Sequence, residues 1–359
     1  MKKLLKTKII PFFLSNRGCP FRCVYCNQFF QTGETASLKK QLDVFEEKVY
    51  RYLDTISGKH KIEIAFYGGT FTGLKEKEQR AFLSKAKRFL DKGIINSIRI
   101  STHPLFIDER KLSLLKEYEV KTVELGVQSF NNKVLFFSKR GYTRQTVFDA
   151  INLVKNFNFK LGIQLMAGLP MQSEKISYID SIYSAKFNPD FIRIYPCIVF
   201  KNTKLYDYFK KNIYSPWNVK KSIMLVKKML LYFYVRKINV IRVGIHPVSD
   251  VSIIAAGPYH FSFRLLCESA LRYDLLKLVV KKFNVKNAEK INLYCSKKEA
   301  DYFRGIKNHN IYKFMRKGYN LTINEKKPFE ENYVEIDKKK YNLPYKDLNK
   351  IYKKLVFNE

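Results

Sequence analysis

The chain has 359 residues, 46% of them hydrophobic, and its 67 Lys and Arg against 32 Asp and Glu give a formal charge of +35. That length buries a substantial core and suits one large domain with a smaller one. Six cysteines are too few for a disulfide framework, and no apolar run reaches the ~18 residues of a membrane span, so a small disulfide scaffold and a helical membrane protein are excluded.

The charge favours a polyanionic partner, because each Lys or Arg set on a phosphate releases condensed counterions. Abundant Lys, Asn, Ile, Tyr and Phe also match an AT-rich coding bias, but that bias does not explain the scarcity of Asp and Glu. The N-terminus imitates a lipoprotein signal. Its apolar run, Ile9 to Leu14, is only six residues long and contains Pro11, and Asn16 and Arg17 stand where small residues belong. The expectation is a reduced, cytoplasmic protein with no membrane partner.

Strand-like runs recur at residues 7–14, 62–69, 98–103, 122–129, 160–170, 191–196 and 239–246, with amphipathic helical patterns between them. Strands alternating with helices predict an α/β protein with a parallel sheet, a partial (β/α)6-type barrel, against the competing doubly wound open sheet. In either fold, ligands bind at the C-terminal edge of the strands.

The first run leads into GCPFRCVYCNQ, in which Cys19, Cys23 and Cys26 form C-x3-C-x2-C. Three thiolates on one short loop point to zinc or an iron-sulfur cluster. Structural zinc wants four protein ligands, and Cys197, Cys267 and Cys295 form no second pair; a catalytic zinc with three ligands and an open position is the other zinc reading, for which three Cys and no His are an unusual set. A cube held by three cysteines leaves one iron open to a small chelating molecule.

The second run ends in FYGGTFTG, where Gly68, Gly69 and Thr70 let a backbone approach a ligand closely. Alone, such a pair is more often an ordinary turn. Together with aromatic Tyr25 before the third cysteine, these motifs resemble the radical S-adenosylmethionine (SAM) superfamily. The resemblance implies a 4Fe-4S cluster on Cys19, Cys23 and Cys26, with its open iron on the methionine part of SAM. One electron from the cluster then cleaves SAM to a 5'-deoxyadenosyl radical. It also implies that Tyr25 and the Gly68, Gly69 and Thr70 turn lie against SAM.

ELGVQSF (124–130), KRGYTRQ (139–145), LMAGLP (165–170) and RIYP (193–196) follow in an order that resembles the Elongator catalytic subunit family and, less closely, the oxygen-independent coproporphyrinogen oxidases. The resemblance covers roughly residues 8–270. It implies Gln128 and Ser129 near SAM, Arg140 near its carboxylate, and Met166, Gly168 and Leu169 near the adenine. Packing is the competing role, since Glu124 and Gln128 also read as hydrogen-bonded polar residues inside a barrel. His103 and Leu105 depart from the family's Arg and Asp at those places, and a lone histidine at a strand end is more often structural than a proton shuttle. His246, Asp250, His260 and Glu268 match no metal-ligand spacing.

The chain divides into residues 1–280, a core barrel, and residues 281–359, a small basic α/β unit with 20 basic and 10 acidic residues. The order strand, helix, GIKN (305–308), helix, strand resembles a KH domain, whose GxxG loop clamps a nucleic-acid backbone, although Asn308 replaces the second glycine. A plain α/β cap packed on the barrel is the alternative. The sequence therefore reads as a radical SAM enzyme acting in tRNA uridine modification, with tRNA or another RNA as partner and a flavodoxin or ferredoxin as electron donor. The alternatives are a small-molecule enzyme on a porphyrin and a non-catalytic, metal-bearing RNA-binding protein.

Overall fold

The computed structural model describes residues 7–15, 17–27, 36–246, 248, 250–287, 289–326 and 332–358. Residues 1–6, Asn16 and Gln28, which belong to motifs read above, lie outside the described residues. Seven parallel strands form one sheet in sequential order: β1 (Thr7–Phe13), β2 (Lys61–Tyr67), β3 (Ser97–Thr102), β4 (Val120–Gln128), β5 (Lys160–Ala167), β6 (Phe191–Pro196) and β8 (Asn239–Val243). Among the described residues β8 does not pair with β1, so the barrel is partial. The seven runs read from the sequence are these seven strands, and the partial barrel is as expected. Pro11 lacks an N–H to donate and sits on β1, an edge strand, where that donor is not needed.

These strands are legible as Val, Ile, Leu and Phe runs because both faces are covered. Helices α1 (Leu38–Asp43), α2 (Phe45–Asp54), α3 (Glu76–Asp91), α4 (Glu109–Glu117), α5 (Asn132–Phe137), α6 (Arg144–Asn156), α7 (Glu174–Lys186), α8 (Lys204–Lys210) and α9 (Val219–Tyr234) connect them. Asp108, Ser173 and Asn218 cap α4, α7 and α9 by accepting from a backbone N–H three residues on. Behind β1 and β2 an aromatic cluster fills the layer: Phe12 stacks on Phe45 at 4.2 Å and meets Phe66 at 5.9 Å.

A short antiparallel pair, β7 (Val199–Phe200) with β9 (Ile254–Ala256), covers the C-terminal edge of the sheet near β6 and β8. Beyond α10 (Phe263–Lys282), a second sheet in the order β11-β10-β12-β13 contains β10 (Lys290–Ser296), β11 (Asn320–Lys326), β12 (Tyr333–Ile336) and β13 (Lys339–Asn342). Helices α11 (Lys297–Arg304) and α12 (His309–Met315) connect β10 to β11, in the order read from sequence.

Gly305, between those helices, faces α10: a Cβ there would lie 2.5 Å from Ser269 Oγ, and the Asn310 amide donates to Ser269 O and Oγ, both at 3.0 Å. The last helix, α13 (Tyr345–Phe357), returns to the barrel, where Leu348, Tyr352 and Val356 join the main core. Asp274 ties three helices together by accepting from Lys227 Nζ and Tyr352 OH, each at 2.5 Å. No described helix is long and apolar enough to cross a membrane.

Candidate active site

The cysteine loop begins where β1 ends. Leu14 N–H donates to Tyr67 O at 2.7 Å, Arg17 N–H to Leu14 O at 3.0 Å, and Thr70 N–H to Arg17 O at 2.9 Å, so the loop is sewn to the turn after β2. Gly18, at φ +66°, touches that turn so closely that a Cβ would overlap the Thr70 carbonyl oxygen. The two motifs therefore meet in space because glycine is required at the seam.

Two more segments hold the far side of the loop. Val24 N–H donates to Ser138 O at 3.2 Å, and Val24 O accepts from Leu205 N–H at 2.6 Å. Cys19, Cys23 and Cys26 consequently line one cavity of about 520 Å³ at the C-terminal edge of the sheet. All six cysteines are free thiols; Cys197, Cys267 and Cys295 are buried and do not line the cavity, although Cys197 packs in the same cluster as Cys23 and Tyr25. Among the described residues no group of three His, Cys, Asp or Glu converges as a site for one metal ion. A 4Fe-4S cube sets each thiolate on its own iron, so three thiols spaced along one cavity wall suit it better than a single ion.

Tyr25, Gly68, Gly69, Thr70, Gln128, Arg140 and Met166 line the same cavity as the thiols. Arg140 reaches Cys23 Sγ at 3.2 Å, Gly126 O at 2.5 Å and Tyr142 OH at 3.0 Å. A register shift between β4 and β5 at Gly126 and Gln128 turns Gln128 inward, at φ +66°, a backbone conformation that costs a non-glycine residue about 1 kcal/mol. The Gln164 amide donates to Gln128 Oε1 at 3.4 Å. His103 is a satisfied structural residue: Leu105 N–H donates to its Nδ1 at 3.3 Å, so the ring proton sits on Nε2, 3.1 Å from Arg140 O. Burial, with Arg140 beside it, pushes its pKa down to about 2, so the ring is neutral at physiological pH.

Ser129, Gly168 and Leu169 do not line the cavity; they belong to a buried network beneath it. Asp180 on α7 accepts from Ser129 Oγ at 2.8 Å, Phe130 N–H at 2.7 Å and Gln172 Nε2 at 2.9 Å. Gln172 Oε1 in turn accepts from the Gly168 and Leu169 N–H groups at 2.8 and 3.0 Å. One carboxylate thus fixes the chain after β4 and after β5. Asp180 and Gln172 were not singled out in the sequence, although Ser177, Asp180, Ser181 and Ser184, spaced three and four apart and all buried, form a polar stripe that signals it.

Burial pushes the Asp180 carboxyl up to about 7. The folded protein therefore holds this proton more tightly than the unfolded chain, and the contribution of Asp180 to stability falls as pH rises from about 4 to 7. In Asp180→Asn the new amide N–H faces the Gln172 amide N–H, donor against donor. The variant is expected to lose about 1–3 kcal/mol, by less at pH 7.5 than at pH 5, in urea denaturation run at both.

At the opposite end of the cavity, Glu124 and Arg193 face each other from β4 and β6, with Arg193 Nε 2.9 Å from Glu124 Oε1. Below them Arg99 pairs with Glu63 at 2.6 Å. The RIYP run was noted in sequence without a role for Arg193. Its signal was charge inside a strand otherwise covered on both faces, which requires a buried partner.

The radical SAM superfamily model matches residues 14–177, and the radical SAM C-terminal domain model matches residues 189–273. The chain belongs to the radical SAM superfamily. As a radical SAM enzyme it uses a 4Fe-4S cluster and SAM.

Among curated relatives, a tRNA uridine(34) acetyltransferase of Methanocaldococcus jannaschii is 30% identical over 190 residues, covering 46% of this chain and 35% of that protein. A heme chaperone HemW of Buchnera aphidicola is 24% identical over 338 residues, covering 91% of this chain and 82% of that one. The alignment spans only about a third of the archaeal acetyltransferases. The structure of Methanocaldococcus infernus Elp3 with an N-terminal deletion superposes with a TM-score of 0.57 at 19% identity, covering 79% of this chain and 65% of that one, and shows the shared fold.

Proposed function

We propose that this radical SAM enzyme modifies a base in RNA, with tRNA uridine as first substrate. Cys19, Cys23 and Cys26 would ligate the cluster, the Gly68 to Thr70 turn would receive the SAM ammonium group, and Arg140 would face its carboxylate. When bound, cluster and SAM supply reductive cleavage of SAM and abstraction of a hydrogen atom from the second substrate. The protein's own part is to bind and orient. Gln128 and Gln164 link the two ends of the cavity, and the stacked rings of Phe21 and His103, with centroids 5.4 Å apart, help wall off one side.

The observation that carries the RNA reading is the basic character of the segments bonded to the cysteine loop. The three segments that meet at the cysteine loop, residues 17–27, 131–145 and 198–206, contain eight Lys or Arg and no Asp or Glu; of these Arg140 is buried, and Lys204 pairs with Asp207 just beyond the last segment. The curated relatives named for tRNA uridine(34) add support. Binding of tRNA by the anaerobic holoenzyme is expected to weaken with salt at a log–log slope of about −3 or steeper, as for several neutralised phosphates. Mass spectrometry of tRNA nucleosides from cells lacking the protein should show one modified uridine missing. An unchanged profile with no binding at 50 mM salt would remove this reading.

A second reading has support from the near full-length match to the Buchnera heme chaperone. It predicts a Soret band on titration with hemin, saturating at one equivalent, and no RNA affinity.

A further inference from the structure

Helix α5 presents two phenylalanines to solvent on the segment that supports the cysteine loop. Phe136 is 77% exposed and Phe137 42%, and neither joins a hydrophobic cluster of the described residues. Their rings meet each other edge to face, with centroids 5.5 Å apart. Scattered exposed apolar residues need no explanation, but a contiguous aromatic pair on a short helix does.

The other side of the helix is occupied. Asn131 caps it by accepting from Val134 N–H at 3.1 Å, Val134 is buried in the cluster that holds Cys23, Val24 and Tyr25, and Leu135 is buried in the main core. With Val134 and Leu135 inward, the helical period leaves Asn132, Lys133, Phe136 and Phe137 together on the outer face, and all four are exposed. Lys133 lies three and four residues before the two rings, and the exposed Lys139 follows them, its N–H donating to Phe136 O at 2.9 Å. Residues 131–145 contain no Asp or Glu to neutralise these lysines.

This face is tied to the active site. Val24 N–H donates to Ser138 O at 3.2 Å, and Arg140 N–H donates to Leu135 O at 3.0 Å, so the cysteine loop and an arginine that lines the cavity both rest on residues beside Phe136. Across that second bond the Phe136 Cα lies within about 6 Å of the Arg140 nitrogen, given standard backbone dimensions.

We propose that Phe136 and Phe137 form a stacking platform for unpaired bases of a single-stranded RNA, next to the base that reacts. This rests on the reading that the second substrate is RNA. Exposed rings between lysines fit such a strand, because every base has a flat face to stack and every nucleotide carries a phosphate to neutralise. Lysine is depleted at protein–protein interfaces, so the same face fits a protein partner less well.

The test titrates anaerobic holoenzyme, with SAM in excess, against fluorescein-labelled hexaadenylate and an abasic ribose-phosphate oligomer of equal length, by fluorescence anisotropy. Wild type is expected to bind hexaadenylate at least ~5-fold more tightly than the abasic oligomer. Phe136→Ala should lose about fivefold or more for hexaadenylate and under about twofold for the abasic oligomer, with its iron content unchanged, and Phe136→Trp should keep the binding. The salt slope should be the same in Phe136→Ala as in wild type, whereas Lys133→Gln should make it shallower by about 1. Should Phe136→Ala fail to fold, Phe137→Ala decides in its place. Equal affinity of wild type and Phe136→Ala for hexaadenylate, or binding of tRNA but of neither oligomer, would overturn the platform and leave the RNA reading standing. If wild type binds neither the oligomers nor tRNA at about 50 mM salt, the RNA reading falls and the platform with it. Slower reduction of the cluster by a flavodoxin in Phe136→Ala, with RNA affinity unchanged, would also overturn it and assign the face to a protein.

Discussion

Alanine at Cys19, Cys23 or Cys26 is expected to yield a folded protein that stays nearly colourless after anaerobic reconstitution with ferrous iron and sulfide, with bound iron reduced on the order of tenfold. All three thiols line one cavity; Cys267 and Cys295 are buried outside it, and Cys197, packed in the same cluster as Cys23, does not line it. Cys197→Ala is the matched control. Its thiol is buried, does not line the cavity, and its pKa is pushed up by that burial. The control should keep its brown colour and its iron. Loss of iron in Cys197→Ala, or its retention in Cys23→Ala, would mean that the ligands are other than the loop.

The second large effect is on the seam that brings the motifs together. Gly18 and Gly58 both have positive φ, +66° and +79°, so alanine pays the same backbone penalty of about 1 kcal/mol at either. Their surroundings differ. A Cβ on Gly58 meets nothing within 4 Å, whereas one on Gly18 overlaps Thr70 O and lies 2.7 Å from Leu74 N and 2.8 Å from Gly73 C.

Those neighbours are backbone atoms, held by the Thr70 N–H to Arg17 O bond, and can withdraw only by opening the turn. Gly18→Ala is therefore expected to cost about 3 kcal/mol or more, against about 1 kcal/mol for Gly58→Ala, in urea denaturation. It should also lower cluster occupancy, because the loop no longer rests on the turn after β2. Equal losses at the two positions would show that the seam contributes nothing.

The parallel sheet was legible because burial on both faces leaves nearly unbroken apolar runs, and the run at 239–246 already announced the seventh strand. The cysteine and glycine motifs were legible for a different reason: the close approach at Gly18 and Gly69 tolerates no other residue, so the constraint is written locally. Pairing between distant short segments was not. The β7 and β9 strands are two and three residues long, and only the fold decides that Val199 meets Ala256.

Ser129 shows the same limit within the site. Its neighbours in sequence point to the cavity, but a carboxylate 51 residues further on takes its hydroxyl. The return of α13 to the main core was likewise hidden, because its amphipathic face is equally able to cap the small sheet. Glu124 and Arg193 stood in plain view as charges within strands, while the arrangement of Tyr67 and Tyr195 around one guanidinium depends on three strands converging.

The most direct measurement is electron paramagnetic resonance of the anaerobically reconstituted, dithionite-reduced protein before and after addition of SAM. Three protein thiols leave one iron open, so the account predicts a reduced 4Fe-4S signal whose g-values shift when SAM is added. A cluster signal that SAM leaves unmoved, or a protein that binds no iron at all, would contradict it.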